Sequence, residues 1–132
     1  MTLPIISGYT AATIAIFQVI LMMTVGFARQ KNSVSVGDGG GDALLLKIRR
    51  HGNLTENAPI FLILVTLLEI SGGPHVALIA LASLFLAARL SHAFALSGPN
   101  RPVPARAFGA FGTILSIVGS AGVLIWHFSS VT

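Results

Sequence analysis

The residues that could do chemistry lie in two short stretches of an otherwise apolar sequence, and the first runs from 47 to 59. Taken as helix, it brings Arg49, Asn53 and Glu56 within about 60° of one another at about 100° per residue. A cation, an amide and a carboxylate on one narrow helix face can bind a polar ligand. The alternative is an interfacial helix turn whose charges are solvated.

The second stretch, from 87 to 94, contains Arg89 and His92, which also share a helix face because they are three residues apart. Ionisable groups at membrane depth are costly and usually turn inward, toward partners or a wet cavity. Glu56 is therefore the predicted partner of Arg89. Such a pair could hold two helices together, bind a ligand, or do both.

The elements that must position these residues are set by the composition. The chain has 132 residues, of which 54% are hydrophobic and only 9% charged, and its mean hydropathy is +0.86. An average soluble domain has about 25% charged residues. An ordinary soluble domain is therefore excluded, and so is a disordered chain, which would need low hydrophobicity. The absence of cysteine excludes disulfides, thiolate metal sites and a cysteine nucleophile.

Four apolar runs have the length that a bilayer span requires. We predict an all-α, integral membrane four-helix bundle that forms a single domain over residues 1–132. Pro59 should bend the second span, because it removes the hydrogen bond to Thr55. The last span repeats small residues at every fourth position (Gly112, Ser116, Ser120), which favours close helix packing. The predicted spans are 5–27, 43–71, 76–96 and 104–128.

The distribution of basic residues predicts the orientation. By the positive-inside rule, loops 28–42 and 97–103 face the cytoplasm, and both termini face outward. The net charge of +4 is spread between apolar runs and is not clustered, so we expect no nucleic-acid partner. The basic residues that decide the orientation are Arg29, Lys31, Lys47, Arg49, Arg50, Arg101 and Arg106.

The remaining polar residues are expected to have structural roles and not chemical ones. The four histidines lack the spacing of metal ligands, so no metal site is expected. Glu69, near the end of the second span, is predicted to be an interfacial carboxylate. Gln18 is predicted to hydrogen-bond to a neighbouring helix. The glycines between 37 and 41 are typical of tight turns, and they lack the Gly-Lys-Ser/Thr ending of a phosphate-binding loop.

Over nearly its whole length the chain resembles the MAPEG family, the membrane-associated proteins in eicosanoid and glutathione metabolism. The resemblance depends on four spans and on two motifs, Arg-x-x-x-Asn-x-x-Glu followed by Pro, and Arg-x-x-His. The sequence of residues 36–40 and 48–53 is similar to that of a small bacterial branch of the family. The motif residues are Arg49, Asn53, Glu56 and Pro59 on the second span, and Arg89 and His92 on the third.

The resemblance implies a homotrimer in the bacterial inner membrane that binds glutathione, as co-substrate, between neighbouring subunits near the cytoplasmic face. Arginines would clamp the glutathione carboxylates and Glu56 would accept its amine. Arg106 lies, within about one residue of spacing, where the family places the arginine that stabilises the thiolate. The thiolate would conjugate or reduce lipophilic electrophiles arriving from membrane lipid. The residues implied to contact or support glutathione are Arg49, Asn53, Glu56, Arg89 and His92.

One departure from the family leaves alternatives open. The family enzymes present tyrosines on the third span, where this chain has Phe94 and Leu96, and its one tyrosine, Tyr9, lies at the opposite end. A non-catalytic scaffold or ligand-binding oligomer of the same fold is therefore an alternative. A small proton-coupled exporter also fits four spans, but it should carry a carboxylate at mid-membrane, and Glu56 and Glu69 lie toward the two ends of the second span.

Overall fold

The computed structural model describes residues 3–98 and 102–131, and every regular element in that part of the chain is an α-helix. Each helix begins within one residue of its predicted start, and all four are long and apolar enough to cross a membrane. The all-α four-helix fold is thereby confirmed. The helices are α1 (Ile5–Lys31), α2 (Asp42–Ile70), α3 (His75–Ala95) and α4 (Val103–Val131).

Helix α1 is four residues longer than its apolar run. Its last turn contains Arg29 and Lys31, whose positive charges stabilise the negative end of the helix dipole. The loop that follows turns tightly at three glycines with positive φ (Gly37, Gly39 and Gly40), as predicted. The Asp38 carboxylate accepts a hydrogen bond from the Gly40 amide at 2.9 Å, which fixes the turn before α2 begins.

Consecutive helices run antiparallel, so the end of α1, the start of α2, the end of α3 and the start of α4 share one end of the bundle. We call this the basic end, because the described Lys and Arg residues lie in or near it. The opposite end contains Glu69, His75 and His127. Tyr9 and Trp126 are exposed near that opposite end. Arg101, which entered the orientation argument, lies outside the described residues.

The core is built on large apolar side chains at the centre of α2 and α3. Phe61 and Phe85 are fully buried and stack face to face, with ring centroids 4.0 Å apart and an interplanar angle of 1°. Leu54, Val65 and Leu78 surround them. Outside this core many large apolar side chains are exposed, among them Phe111 and Ile125 of α4, as expected where the surrounding solvent is lipid.

Helices α3 and α4 approach each other most closely, through the small residues of α4. A Cβ atom on Gly109 would lie 2.5 Å from the Cβ of His92, and one on Gly112 would lie 2.9 Å from the Cβ of Ala88. Ser116 and Ser120 are fully buried in the same stripe, and each hydroxyl donates to a carbonyl one turn earlier. The predicted close packing through small residues is confirmed.

Glu69 corrects one prediction. It is not an interfacial carboxylate but is buried against the start of α1, where it accepts hydrogen bonds from the Ile6 and Ser7 amides and from the Ser7 hydroxyl, at 2.6 to 2.8 Å. These amides are among the unpaired donors of the first turn, and Pro4 at the N-cap provides no side-chain acceptor. A side chain from α2 therefore caps α1.

Candidate functional site

Three of the predicted site residues lie on one face of α2, as the spacing predicts. Arg49 and Glu56 are exposed and Asn53 is half-buried. The side chains of Arg49 and Glu56 form no hydrogen bond or ion pair with any residue in the described part of the chain. The Asn53 amide donates to the Arg49 carbonyl at 2.9 Å. We call Arg49, Asn53 and Glu56 the open face of α2.

The open face is not covered by another helix, because α1 packs on a different side of α2. The Arg50 guanidinium donates to the Thr24 hydroxyl at 3.1 Å, and Gln18 bonds to His51 at 2.8 Å and to Thr55. Residues 50 and 51 follow Arg49 by about 100° and 200° around the helix axis. These contacts occupy α2 on the side toward α1 and leave Arg49 and Glu56 uncovered. The prediction that Gln18 bonds to a neighbouring helix is confirmed.

Arg89 lies in the opposite environment, with a relative exposure of 4%. Its guanidinium donates to the Asn53 carbonyl at 3.2 Å, to the Gly109 carbonyl at 2.7 Å and to the Thr113 hydroxyl. It also lies over the Phe85 ring, 5.9 Å from the centroid. Arg89 thus joins α2, α3 and α4, and its only link to the open face is through a backbone carbonyl.

The predicted ion pair between Arg89 and Glu56 is therefore wrong. Helix α4 brings two oxygen acceptors against Arg89, so two of the guanidinium's hydrogen bonds are made there without a carboxylate, although its Nε is buried without a partner in the described chain. Glu56 faces away and is exposed. Thr113 was missed as a partner, although its position one residue after Gly112 placed a hydroxyl in the small-residue stripe.

His92 and Arg106 lie beside Arg89, between α3 and the first turns of α4. His92 is half-buried, its Cβ packs on Gly109, and it is within electrostatic range of both Arg89 and Arg106. Arg106 is exposed in the first turns of α4. The Ser91 hydroxyl donates to the Ala105 carbonyl at 2.9 Å and ties this part of α4 to α3.

The structure therefore divides the six predicted site residues into two groups. Asn53 and Arg89 are in contact, and His92 lies one helix turn after Arg89 and packs on Gly109. Arg49, Glu56 and Arg106 are exposed. The best-formed cavities in the described part of the chain are lined by other residues, so the predicted site is a polar surface in a single chain and not an enclosed pocket.

Such a surface can hold a small polar molecule that carries both signs of charge. Arg49 and Arg106 offer guanidinium donors to carboxylates, and Glu56 offers a carboxylate to an amine. Glu56 lies in a helix that is long and apolar enough to cross a membrane, two residues before the apolar run that begins at Ala58. A carboxylate without a partner at the start of such a run favours a bound ligand or a second protein surface.

Comparison with known proteins gives the same assignment as the motifs. The family model described as "MAPEG family" matches residues 7–126. The chain is 33% identical over 86 residues to the inner membrane protein YecN in two Escherichia coli strains, covering 62% of this chain and 66% of that protein. The chain thus spans just under two thirds of the length of these curated relatives. No solved structure matches it significantly. Together with its four membrane-length helices, the family match establishes this chain as a multi-pass membrane protein of the MAPEG family.

Proposed function

We propose that this protein binds glutathione on the open face of α2, in an oligomer whose second subunit closes the site. One observation carries the proposal: Arg49 and Glu56 lie on one face of α2 and are exposed, oppositely charged and unpaired in the described chain. Glutathione has two carboxylates and an amine, which match that pair of charges. Family membership supports the same ligand.

The proposed ligand contacts come from the exposed residues, and the buried ones support them. Arg49 and Arg106 bind carboxylate or thiolate, and Glu56 binds the amine. Arg89 fixes the backbone of Asn53 and the position of α4, which makes it a positioning residue. His92 is half-buried one helix turn after Arg89, packs on Gly109 of α4, and is assigned a supporting role.

The proposed chemistry is attack of the glutathione thiolate on a lipophilic electrophile that enters from the bilayer. Free thiols have a pKa of about 8.5, so a guanidinium beside the sulfur increases the thiolate fraction at neutral pH. Arg106 is the residue in this chain assigned to that role. With an aryl halide, the new sulfur–carbon bond forms as halide leaves, and the thiol proton passes to solvent. With a hydroperoxide, the thiolate attacks the terminal oxygen, the O–O bond breaks, and the alkoxide leaves and is protonated to the alcohol. The resulting glutathione sulfenic acid then condenses with a second glutathione to give the disulfide and water.

Calorimetry on the purified protein in nanodiscs tests the binding step. Glutathione and the unreactive S-methyl-glutathione should both bind saturably, Arg49→Ala should lose most of that affinity, and Arg29→Ala should not. Arg29 is the matched control because it is a basic residue at the same end of the bundle, on α1. Failure of a folded oligomer to bind at millimolar glutathione would contradict the proposal.

A non-catalytic scaffold is the second candidate, and the environment of Arg89 favours it. This arginine is committed to internal hydrogen bonds, as a structural role requires. The two candidates differ in the outcome for Arg49→Ala. An enzyme would keep its oligomeric state and lose glutathione binding, whereas a scaffold would lose oligomer stability and have no glutathione binding to lose.

We also propose a location in a bacterial inner membrane, with the basic end in the cytoplasm and both termini outside. The name of the Escherichia coli relatives supports the location, and the distribution of basic residues supports the orientation. Because the chain has no cysteine, a maleimide can label only a cysteine introduced by substitution, and its labelling shows on which side of the membrane that residue lies. An impermeant maleimide applied to intact spheroplasts should label Ser130→Cys and not Ser35→Cys. The reverse pattern would overturn the orientation.

A further inference from the structure

We propose that a small cavity at the basic end binds the phosphate of an anionic phospholipid. The cavity lies between the first turns of α2 and the segment that follows α3. Lys47 and Arg50 of α2 and Ser97 after α3 form its polar side, and Leu46 and Leu96 form its apolar side. The inference is independent of the proposed glutathione site, which uses a different face of α2.

The size of the cavity selects the ligand class. Its volume is about 130 Å³. At about 30 Å³ per water molecule in the liquid, this is room for about four waters. A tetrahedral oxyanion such as a phosphate group is of that size. The cavity therefore fits one phosphate or a similar anionic group.

The charge around the cavity favours an anion. Lys47 and Arg50 are half-buried, and none of the chain's four acidic residues lines the cavity. Arg50 uses one of its five N–H donors, toward Thr24, and its Nε is buried without a hydrogen-bond partner in the described chain. The C-terminal end of α3 offers only about half a negative charge. Two cations are thus incompletely compensated by the described part of the chain.

The position of the cavity favours a lipid over a free anion. Lys47 and Arg50 lie in the first nine residues of α2, and the segment 96–98 follows the last turn of α3, so the cavity is at the level expected for lipid headgroups. Leu96 is 4% exposed and forms part of the apolar side of the cavity. Basic pockets between transmembrane helices at the cytoplasmic side are typical sites for anionic lipid headgroups.

The cavity is separate from the open face. Arg50 lies about 100° from Arg49 around the α2 axis, and Lys47 lies about 160° from it. The Arg50 side chain also bonds to α1, whereas Arg49 contacts no described side chain through a hydrogen bond. Substitutions in the cavity can therefore be made without changing the residues assigned to glutathione.

Native mass spectrometry of the delipidated protein tests the proposal. Phosphatidylglycerol and phosphatidylcholine with the same acyl chains are added separately, and bound lipid per protomer is counted. The protein should prefer phosphatidylglycerol, and the double variant Lys47→Gln/Arg50→Gln should lower that affinity about 30-fold, which corresponds to about 1 kcal/mol for each basic residue. Helical circular dichroism checks that the variant is folded.

A matched control removes the same charge elsewhere at the basic end. Arg29→Gln/Lys31→Gln also loses two positive charges, from the last turn of α1. This variant should retain the preference for phosphatidylglycerol. Equal loss in both double variants, or no preference in the wild type, would overturn the site. Complete displacement of the lipid by inorganic phosphate would assign the cavity to a soluble oxyanion and overturn the lipid assignment.

Discussion

Arg49 and Arg89 are both near the basic end of the bundle, but the protein surrounds them in opposite ways. Arg89 is buried and donates to a carbonyl of α2 and to two oxygens of α4. Arg49, with Glu56, is exposed and has no partner in the described chain. The described chain provides three hydrogen-bond acceptors for the first arginine and none for the second. Arg89 is thus held by its own chain, whereas Arg49 is free to bind the ligand that we propose, although the two occur in motifs of similar appearance.

Removal of Arg89 should have the largest effect on stability. Arg89→Met keeps much of the side-chain volume but removes the buried hydrogen bonds of the guanidinium to Asn53, Gly109 and Thr113, at a cost of about 3 kcal/mol in the free energy of unfolding. Unfolding by SDS titration, followed by helical circular dichroism, measures it. Arg49→Met should leave the midpoint unchanged, and equal destabilisation by the two variants would break the comparison.

A substitution that pushes α3 and α4 apart should lower the free energy of unfolding by somewhat less than the removal of Arg89. In Gly109→Ala the new methyl group would lie 2.5 Å from the Cβ of His92 and 2.8 Å from its Cα, so the helices must shift, at about 1–3 kcal/mol. Gly122→Ala in the same helix is the control, because nothing lies within 4 Å of its added Cβ. The control should be neutral or more stable in the same SDS titration. Equal stability of the two alanine variants would contradict the close contact.

The two glutamates of α2 differ in the same way as the two arginines, because Glu69 is buried with partners and Glu56 is exposed. The expected effects on stability are smaller. Glu69→Gln weakens the cap on the first turn of α1 and should cost about 1 kcal/mol, with faster hydrogen exchange at the Ile6 and Ser7 amides. Glu56→Gln removes a carboxylate that has no partner in the described chain, so the exchange of these amides should not change. Hydrogen exchange at single-residue resolution distinguishes the two. Protection of Ile6 and Ser7 that survives Glu69→Gln would be inconsistent with the cap.

The sequence predicts the helices well because each is a long apolar run with polar residues or helix-breaking glycine and proline near its ends. It also predicts that Arg49, Asn53 and Glu56 share a face, because that relation depends only on helical periodicity. The partner of Arg89 was beyond such reasoning. Periodicity gives the direction of a side chain, but the neighbour it meets depends on which helix packs there and at what depth.

Glu69 was misassigned for the same reason. From its position near the end of an apolar run, solvation at the interface is the simplest environment for a carboxylate. The structure instead places the first turn of α1 against it, and three hydrogen-bond donors compensate its burial. A sequence signal was present in the lack of any capping side chain before Ile5, where Pro4 leaves the first amides of α1 without an acceptor.

The most direct test of the central claim, that one chain presents half of a binding site, is a mixed-oligomer experiment. Arg49→Ala and Arg106→Ala are first shown to abolish glutathione binding separately, and are then co-expressed with different affinity tags and purified as mixed oligomers. In the homotrimer that the family resemblance implies, every mixed trimer has one neighbouring pair of subunits that supplies both arginines. If the two arginines of one site come from different subunits, calorimetry should therefore recover about a third of the wild-type sites. No recovered binding in verified mixed oligomers would mean that both arginines of each site belong to one chain, and would contradict the account.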